Sequence, residues 1–129
     1  MATITSIPLP DGAAKKIHKS LYMAPRQTIS IVSGTTVYSF TIEANGLATR
    51  IILVMPDITG AVGVTAVVSI ENVNSEVIYE SAACGESDTH ILAPDPGIPI
   101  VGTNTVKVTL STNPLSSATG YATLYLSGN

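Results

Sequence analysis

The stretch Val64–Ser81, VTAVVSIENVNSEVIYES, decides the fold class predicted for this chain. In its first half every second residue from Val64 to Ile70 is apolar, which is the period of two of a half-buried strand. The polar segment 71–75 tolerates the tight backbone of a turn, and a second β-type run follows it. The stretch therefore predicts a β-hairpin. Because an isolated hairpin is marginal in water, other strands must cover its apolar face.

Other parts of the chain show the same alternation. Thr36–Glu43 places Tyr38, Phe40 and Ile42 on one face. The pattern of Thr105–Ser111 turns Val106, Val108 and Leu110 inward, and that of Thr119–Ser127 separates Ala122, Leu124 and Leu126 from Tyr121, Thr123 and Tyr125. Ser87–Leu92 has the length of a short strand. These runs predict further strands with one buried face each.

Turn and loop signals, together with one continuous apolar run, complete the strand prediction. Arg50–Met55 is a continuous apolar run, which is typical of a strand covered on both faces. Asn45-Gly46 predicts a turn, and the three prolines of Ala93–Pro99 predict a rigid loop outside the ladder. With about eight strands in all, we predict an all-β, single-domain antiparallel β-sandwich of jelly-roll or Greek-key type.

The N-terminal segment differs from the rest. We predict an extended, mildly basic arm over residues 1–26 and a β-sandwich domain over 27–129. Pro8 and Pro10 lack backbone donors, which favours an arm or edge segment. Ala13–Met23 fits either a short helix opened by Asp11 or another extended stretch.

Composition limits the possible functions. Apolar residues make up 45% of the 129 residues and charged residues 12%, against about 25% in an average soluble domain. Low charge fits either a surface of Thr, Ser and Asn or a surface partly buried against a partner. The net charge of −3 gives no support to nucleic-acid binding. The chain has no Trp and one Phe, so the core must be aliphatic.

The charges are unevenly distributed. Residues 1–26 contain four cations against Asp11, whereas residues 27–129 contain eight acids against Arg50 and Lys107. The basic group is a solvated surface in one interpretation and a contact with an acidic neighbour in the other. That neighbour could be the acidic body of another copy. The candidate partner-contact residues are Lys15, Lys16, Lys19 and Arg26.

Residue types with catalytic or ligand chemistry are few. On a strand, Glu86, Asp88 and His90 would share one face and could hold a divalent cation, although a solvent-facing polar edge explains them more simply. Cys84 among small residues predicts a buried thiol rather than a reactive one. Glu71, Glu76 and Glu80 suit a charged edge better than hydrolysis. We predict no catalytic residues, no cofactor and no metal site, hence no enzyme.

Targeting signals are not visible in the sequence. The N-terminus MATITSIPLP has neither a basic region nor an apolar core of signal-peptide type, and Ile51–Met55 is too short to span a membrane. We therefore expect synthesis in a cytoplasm and no membrane partner. One cysteine excludes an internal disulfide.

Four segments together carry a family resemblance. They are VYSFTIEANG, VTAVVSIENVNSEVIYES, the passage Ile98-Pro99-Ile100-Val101-Gly102 into TVKVTLS, and GYATLYLSGN, after a prolyl arm. In this order they resemble small tailed-bacteriophage structural proteins, most of all capsid decoration (cement) proteins.

The resemblance implies a non-enzymatic protein made in the host cytoplasm. It would bind the outside of the capsid shell and brace neighbouring subunits. The major capsid protein or another virion protein would be its partner, and it would form a homo-oligomer on the particle. A tail, neck or fibre module is the alternative within the virion. A carbohydrate-binding or adhesin module is a third possibility, because Tyr121 and Tyr125 share a strand face.

Overall fold

The computed structural model describes residues 15–18, 21–58 and 63–127. Within these ranges the chain forms ten antiparallel strands and no helix. The strands are β1 (Lys15–His18), β2 (Leu21–Met23), β3 (Gln27–Ile31), β4 (Val37–Met55), β5 (Thr65–Glu71), β6 (Val77–Glu80), β7 (Cys84–Gly85), β8 (Asp88–Leu92), β9 (Ile98–Leu110) and β10 (Ala118–Ser127).

The predicted hairpin is confirmed as β5 and β6. Ile70 stands opposite Tyr79 in the antiparallel register, and the first strand buries alternate residues as expected. The Asn72 side chain organises the turn, because its Oδ1 accepts hydrogen bonds from the backbone N–H of Asn74 at 2.9 Å and of Glu76 at 3.0 Å. Ser75 takes the positive φ of 62° that the turn requires.

The ten strands form one continuous hydrogen-bonded sheet, and its two halves, which make the two layers of the sandwich, share the long strand β4. Its first part, up to Ala48, pairs with β9, which pairs in turn with β5 and through β5 with β6 and β7. Its second part, to Met55, lies between β8 and β10, and β10 continues to β2 and β3. The result is an all-β antiparallel sandwich, as predicted.

One aliphatic core lies between the layers. The largest fully buried side chains come from β3, β4, β5, β9 and β10 and the segments next to them: Ile31, Ile51, Leu53, Ile58, Val64, Val68, Ile70, Ile100, Val106, Val108 and Leu126. Burying each such side chain contributes about 1.5–3 kcal/mol. The predicted inward faces of β9 and β10 are confirmed.

The predicted turn at Asn45-Gly46 is wrong. Strand β4 continues through it, with Asn45 opposite Val101 and Gly46 opposite Ile100. The irregular backbone falls instead on Gly102, whose φ is 67° and whose N–H donates to Asn45 Oδ1 at 3.2 Å. Pairing along the whole of β9 overrides the local turn preference of the Asn-Gly pair.

The predicted loop over Ala93–Pro99 is too long. Strand β9 begins at Ile98, and Pro99 stands in the ladder opposite Leu47. A proline is tolerated there because β9 has one described neighbour over this part, since β5 joins it only from Thr105 onward.

The helix alternative for Ala13–Met23 is wrong in the described residues, and the extended alternative is confirmed. Strand β1 pairs with β2, and β2 pairs with β10. Tyr22 and Ala24 are buried in the core although both belong to the segment assigned to the arm. The division at residue 26 stays a prediction, and Ala2–Pro10 lies outside the described residues. No helix in the described part of the chain could cross a membrane.

Candidate functional site

In the described part of the chain the apolar run Arg50–Met55 is fully buried on one face only, which corrects the prediction of a strand covered on both faces. Ile51, Leu53 and Met55 are buried in the core. On the opposite face Ile52 and Val54 remain half-buried and Arg50 is exposed. A run with the composition of a doubly covered strand therefore presents one apolar face outward.

Strand β10 extends this outward face with aromatic rings. Tyr121 stands opposite Val54, Thr123 opposite Ile52 and Tyr125 opposite Arg50. Directly opposed residues of an antiparallel pair have Cβ atoms about 4.5–5.5 Å apart, so these side chains are neighbours. Each of the three β10 residues is half-buried, while the residues between them are buried.

The flanking strands add apolar side chains on both sides. Ile91 of β8 is 62% exposed and stands opposite Ile52. Met23 of β2 is half-buried and stands opposite Tyr125. We call this surface the aromatic face and define it by Met23, Arg26, Arg50, Ile52, Val54, Ile91, Tyr121, Thr123 and Tyr125.

Two arginines give the aromatic face its charge. The Arg26 guanidinium lies 3.9 Å from the centroid of the Tyr121 ring, a cation–π contact, and Arg50 stands opposite Tyr125. The described strand residues that point outward here include no Asp or Glu. Among the described residues neither arginine forms an ion pair. The face is thus apolar, aromatic and positive.

The predicted basic contact residues only partly come together. Arg26 belongs to the aromatic face. Lys15 stands opposite Met23 and Lys16 opposite Tyr22 in the strand register, and Lys19 lies outside the described residues. Arg50 and the two tyrosines were not among the predicted contacts. The available signals were the apolar run 50–55 and the shared strand face of Tyr121 and Tyr125.

The opposite outer surface of the sandwich has another chemistry. We call it the hydroxyl face, because Ser and Thr dominate it, with three valines, three carboxylates and one lysine. Lys107 Nζ lies 2.8 Å from Glu71 Oε2, so its cation is paired within the chain. Its residues are Val37, Ser39, Thr41, Glu43, Val67, Ser69, Glu71, Val77, Glu80, Thr103, Thr105, Lys107 and Thr109.

Glu86, Asp88 and His90, which the sequence analysis considered as cation ligands, each have another contact in the structure. Glu86 Oε2 accepts a hydrogen bond from Ile58 N–H at 3.0 Å, and His90 Nε2 lies 2.7 Å from the Gly85 carbonyl oxygen. Asp88 Oδ1 accepts from the backbone N–H of Thr89 at 2.8 Å. In the ranges described, no group of three such residues could hold a metal ion. These side chains hold the β7–β8 connection.

Cys84 is a buried thiol, as predicted. It is 2% exposed, and burial raises the pKa of its thiol, while a hydrogen bond with Ser81 acts in the opposite direction. Burial also raises the pKa of Tyr79, and Cys84 adds to that shift. A thiol that stays protonated at neutral pH is a poor nucleophile.

Comparisons with known proteins give no family. No protein-family model and no curated protein matches the chain. The carbohydrate-binding module TmCBM61, solved in complex with β-1,4-galactotriose, is similar in structure at 7% identity and a TM-score of 0.49, over 98% of this chain and 91% of that one.

Two viral structures are also similar. The VP2 subviral particle of infectious bursal disease virus has 10% identity and a TM-score of 0.42. The Gx strain of the same virus has 9% identity and a TM-score of 0.38. Each match covers 98% of this chain and 38% of the viral chain. With TM-scores below 0.5, none of these similarities bears on function.

Proposed function

We propose that the protein is a non-enzymatic structural component of a phage particle that binds the outside of the assembled capsid and stabilises it across subunits. The observation that carries this proposal is the aromatic face, over which the described residues place no further strand. Its apolar and aromatic side chains are contiguous and half-buried, with Ile91 exposed, and a contiguous apolar patch is typical of an interaction surface. The apolar run at 50–55 has the composition of a strand covered twice, and a partner would supply the second cover.

The resemblance in sequence to capsid decoration proteins supports the viral part of the proposal. It supports a location on the capsid surface, the major capsid protein as partner and a homo-oligomer on the particle. A tail, neck or fibre module would use the same face on another part of the virion. Imaging of particles with bound protein distinguishes these positions by their symmetry.

Stabilisation would follow from selective binding. A protein that binds the assembled shell and not the separated subunits lowers the free energy of the assembled state by mass action, by about 2.7 kcal/mol at a concentration of 100 times Kd. No catalytic step is needed. The contacts must simply span subunits that separate when the shell dissociates.

Co-sedimentation with intact particles tests the proposal. The purified protein should pellet with particles at saturable copy number and raise the temperature at which they release their genome. The double variant Ile52→Thr/Ile91→Thr should bind at least about 10-fold more weakly, because two apolar side chains that stand opposite each other on β4 and β8 are lost from the face.

The matched control is Val37→Thr/Val67→Thr on the hydroxyl face. It makes the same kind of change on the other side of the sandwich and should bind as the unmodified protein does. Equal binding by both double variants would refute a role for the aromatic face. Failure of the unmodified protein to pellet would refute the shell-binding function.

The basic N-terminal residues need a separate variant. Deleting residues 1–26 would also remove the buried Tyr22 and Ala24, so loss of binding would be confounded by loss of stability. Replacing Lys15, Lys16 and Lys19 by Gln keeps these core residues. Unchanged particle binding by that variant would contradict the predicted contact role of the lysines.

Carbohydrate binding is the second candidate, and the observation in its favour is the pair Tyr121 and Tyr125 on one strand face. Sugar rings stack on exposed aromatic faces, however, and the Arg26 guanidinium already covers one side of Tyr121. A glycan-array screen distinguishes the two functions. Specific glycan binding that is lost on Tyr125→Ala would favour the carbohydrate module.

A further inference from the structure

We propose that the aromatic face binds an acidic surface of a different protein, with carboxylates that pair with Arg26 and Arg50 on either side of an apolar contact. This inference rests on the proposed function, since it names the chemistry that the shell must present. It is carried by charge complementarity. The face has two arginines, no outward-pointing acid on its described strands and no ion pair within the described residues.

The two arginines are next to different residues of strand β10. Arg26 lies over Tyr121, and Arg50 stands opposite Tyr125, four residues further along β10. At about 3.3 Å per residue the backbone positions of Tyr121 and Tyr125 lie roughly 13 Å apart. Thr123 and its opposite neighbour Ile52 lie between them. A complementary partner surface therefore has two carboxylates with a small apolar side chain between them.

A partner that covers the aromatic face must supply anions that pair with its two arginines. A partner that excludes water from the aromatic face also removes water from both guanidinium groups, which costs free energy unless each finds an anion. Arginine suits this role because its planar guanidinium group binds a carboxylate with two parallel hydrogen bonds. The contact with Tyr121 already fixes the Arg26 group against the face.

A second copy is a poor occupant in a symmetric dimer. In a two-fold arrangement the same patch faces itself, so the arginines of one copy would approach those of the other with no acid between them. Nucleic acid also offers anions and stacking bases. The apolar pair Ile52 and Ile91 between the arginines nevertheless suits an apolar side chain of a protein better than a continuous phosphate backbone, which needs a broader basic surface than two arginines provide.

The experiment measures the binding of charge variants to intact particles over a range of salt concentrations, from about 0.05 to about 0.5 M. Arg26→Gln/Arg50→Gln should bind about 10-fold more weakly at the lowest salt, and its binding should depend less on salt than that of the unmodified protein. Arg26→Lys/Arg50→Lys should recover part of the affinity, because it keeps the charge and loses the planar group.

The control changes net charge by the same amount on the other face. Ser39→Glu/Thr109→Glu alters two exposed positions of the hydroxyl face, and Ser39 stands opposite Lys107. It should bind particles as the unmodified protein does. Urea denaturation of all variants establishes that each remains folded, and sedimentation velocity measures self-association.

Poly-L-glutamate provides a probe that does not depend on the particle. Its binding is followed by tyrosine fluorescence, since the chain contains five Tyr and no Trp. Binding that is lost in the Gln variant supports the inference even if particles are not bound, in which case the shell-binding function alone fails.

Three outcomes overturn the inference. The first is equal binding of particles and of poly-L-glutamate by the Gln variant and the unmodified protein. The second is a stable dimer that dissociates on Arg26→Gln/Arg50→Gln, which would make a second copy the occupant. The third is tighter binding to single-stranded DNA than to poly-L-glutamate through the same arginines.

Discussion

The two outer faces of the sandwich are built from the same strand yet differ in chemistry. The first part of β4 contributes Ser39, Thr41 and Glu43 to the hydroxyl face, and its second part contributes Arg50, Ile52 and Val54 to the aromatic face. On the hydroxyl face the lysine is paired with a carboxylate of its own chain. On the aromatic face no described carboxylate pairs with the arginines. The aromatic face, which combines aromatic rings with arginines, therefore has the composition typical of an interface.

The largest expected effect contrasts the inward and outward faces of the same strand. Leu53 is fully buried, and Leu53→Ala should lower the free energy of unfolding by about 3 kcal/mol because it leaves a cavity. Its neighbour Ile52 points outward, so Ile52→Ala should cost less than about 1 kcal/mol. Urea denaturation measures both. Similar losses for the two variants would mean that Ile52 is already covered within the chain.

A smaller effect concerns how closely β10 packs beneath the aromatic face. A Cβ on Gly120 would lie 2.8 Å from the Val54 carbonyl oxygen and 3.2 Å from Pro56 Cδ. Gly120→Ala should therefore cost about 1–3 kcal/mol, since backbone must move to accept the methyl group. Gly85→Ala is the control, because its Cβ would have open space. Thermal unfolding should leave the control near the unmodified protein, and equal Tm values would contradict the close packing.

The pH dependence of the free energy of unfolding tests the burial of Cys84 in the layer under the hydroxyl face. Burial raises the pKa of Cys84 above its ordinary value of 9.0, so the unfolded chain loses this proton at a lower pH than the folded chain. The contribution of the protonated thiol to the free energy of unfolding is therefore fully present below pH 9.0 and declines as the pH rises above it. The decline is at most about 1.4 kcal/mol per unit of difference between the folded and unfolded pKa values.

The measurement is urea denaturation between about pH 8 and about pH 10, within which the ordinary thiol ionises. Cys84→Ala should weaken the alkaline loss of stability. A remaining loss near pH 10 is expected from Tyr79, whose pKa is also raised. An unchanged pH dependence in Cys84→Ala would show that the thiol ionises equally in both states.

The smallest expected effects compare the charges of the two faces. Lys107→Gln should lower the free energy of unfolding by about 0.5 kcal/mol through loss of the ion pair with Glu71, which is partly exposed. Arg26→Ala should cost a similar amount, about 0.5 kcal/mol, through loss of the contact with Tyr121. Arg50→Gln should change stability hardly at all. A large loss for Arg50→Gln would reveal a partner within the chain and weaken the docking proposal.

The sequence pattern was sufficient to predict those features that depend on the alternation of side chains within a single strand. The sequence predicts the hairpin of β5 and β6, the inward valines of β9 and the shared face of Tyr121 and Tyr125. It also predicts a buried Cys84. Each of these depends on the period of two along a strand and on the size of neighbouring side chains.

The features that the sequence pattern predicted wrongly or missed depend on pairing between distant segments of the chain. Asn45-Gly46 has the preference of a turn, but the register with β9 holds it in a strand. Tyr22 belongs to a basic segment poor in core residues, and only its place beside β10 makes it buried.

The β class, the aliphatic core and the alternation of each strand follow from the amino-acid order alone, because side-chain period and volume are local properties. Folding of the whole chain brings Arg50, Tyr125, Ile52 and Ile91 to one face, since they come from three strands whose order no local pattern contains. It also decided that the run at 50–55 keeps one face outward. Strand neighbours are set by the total burial that the whole chain achieves, and that quantity is not local.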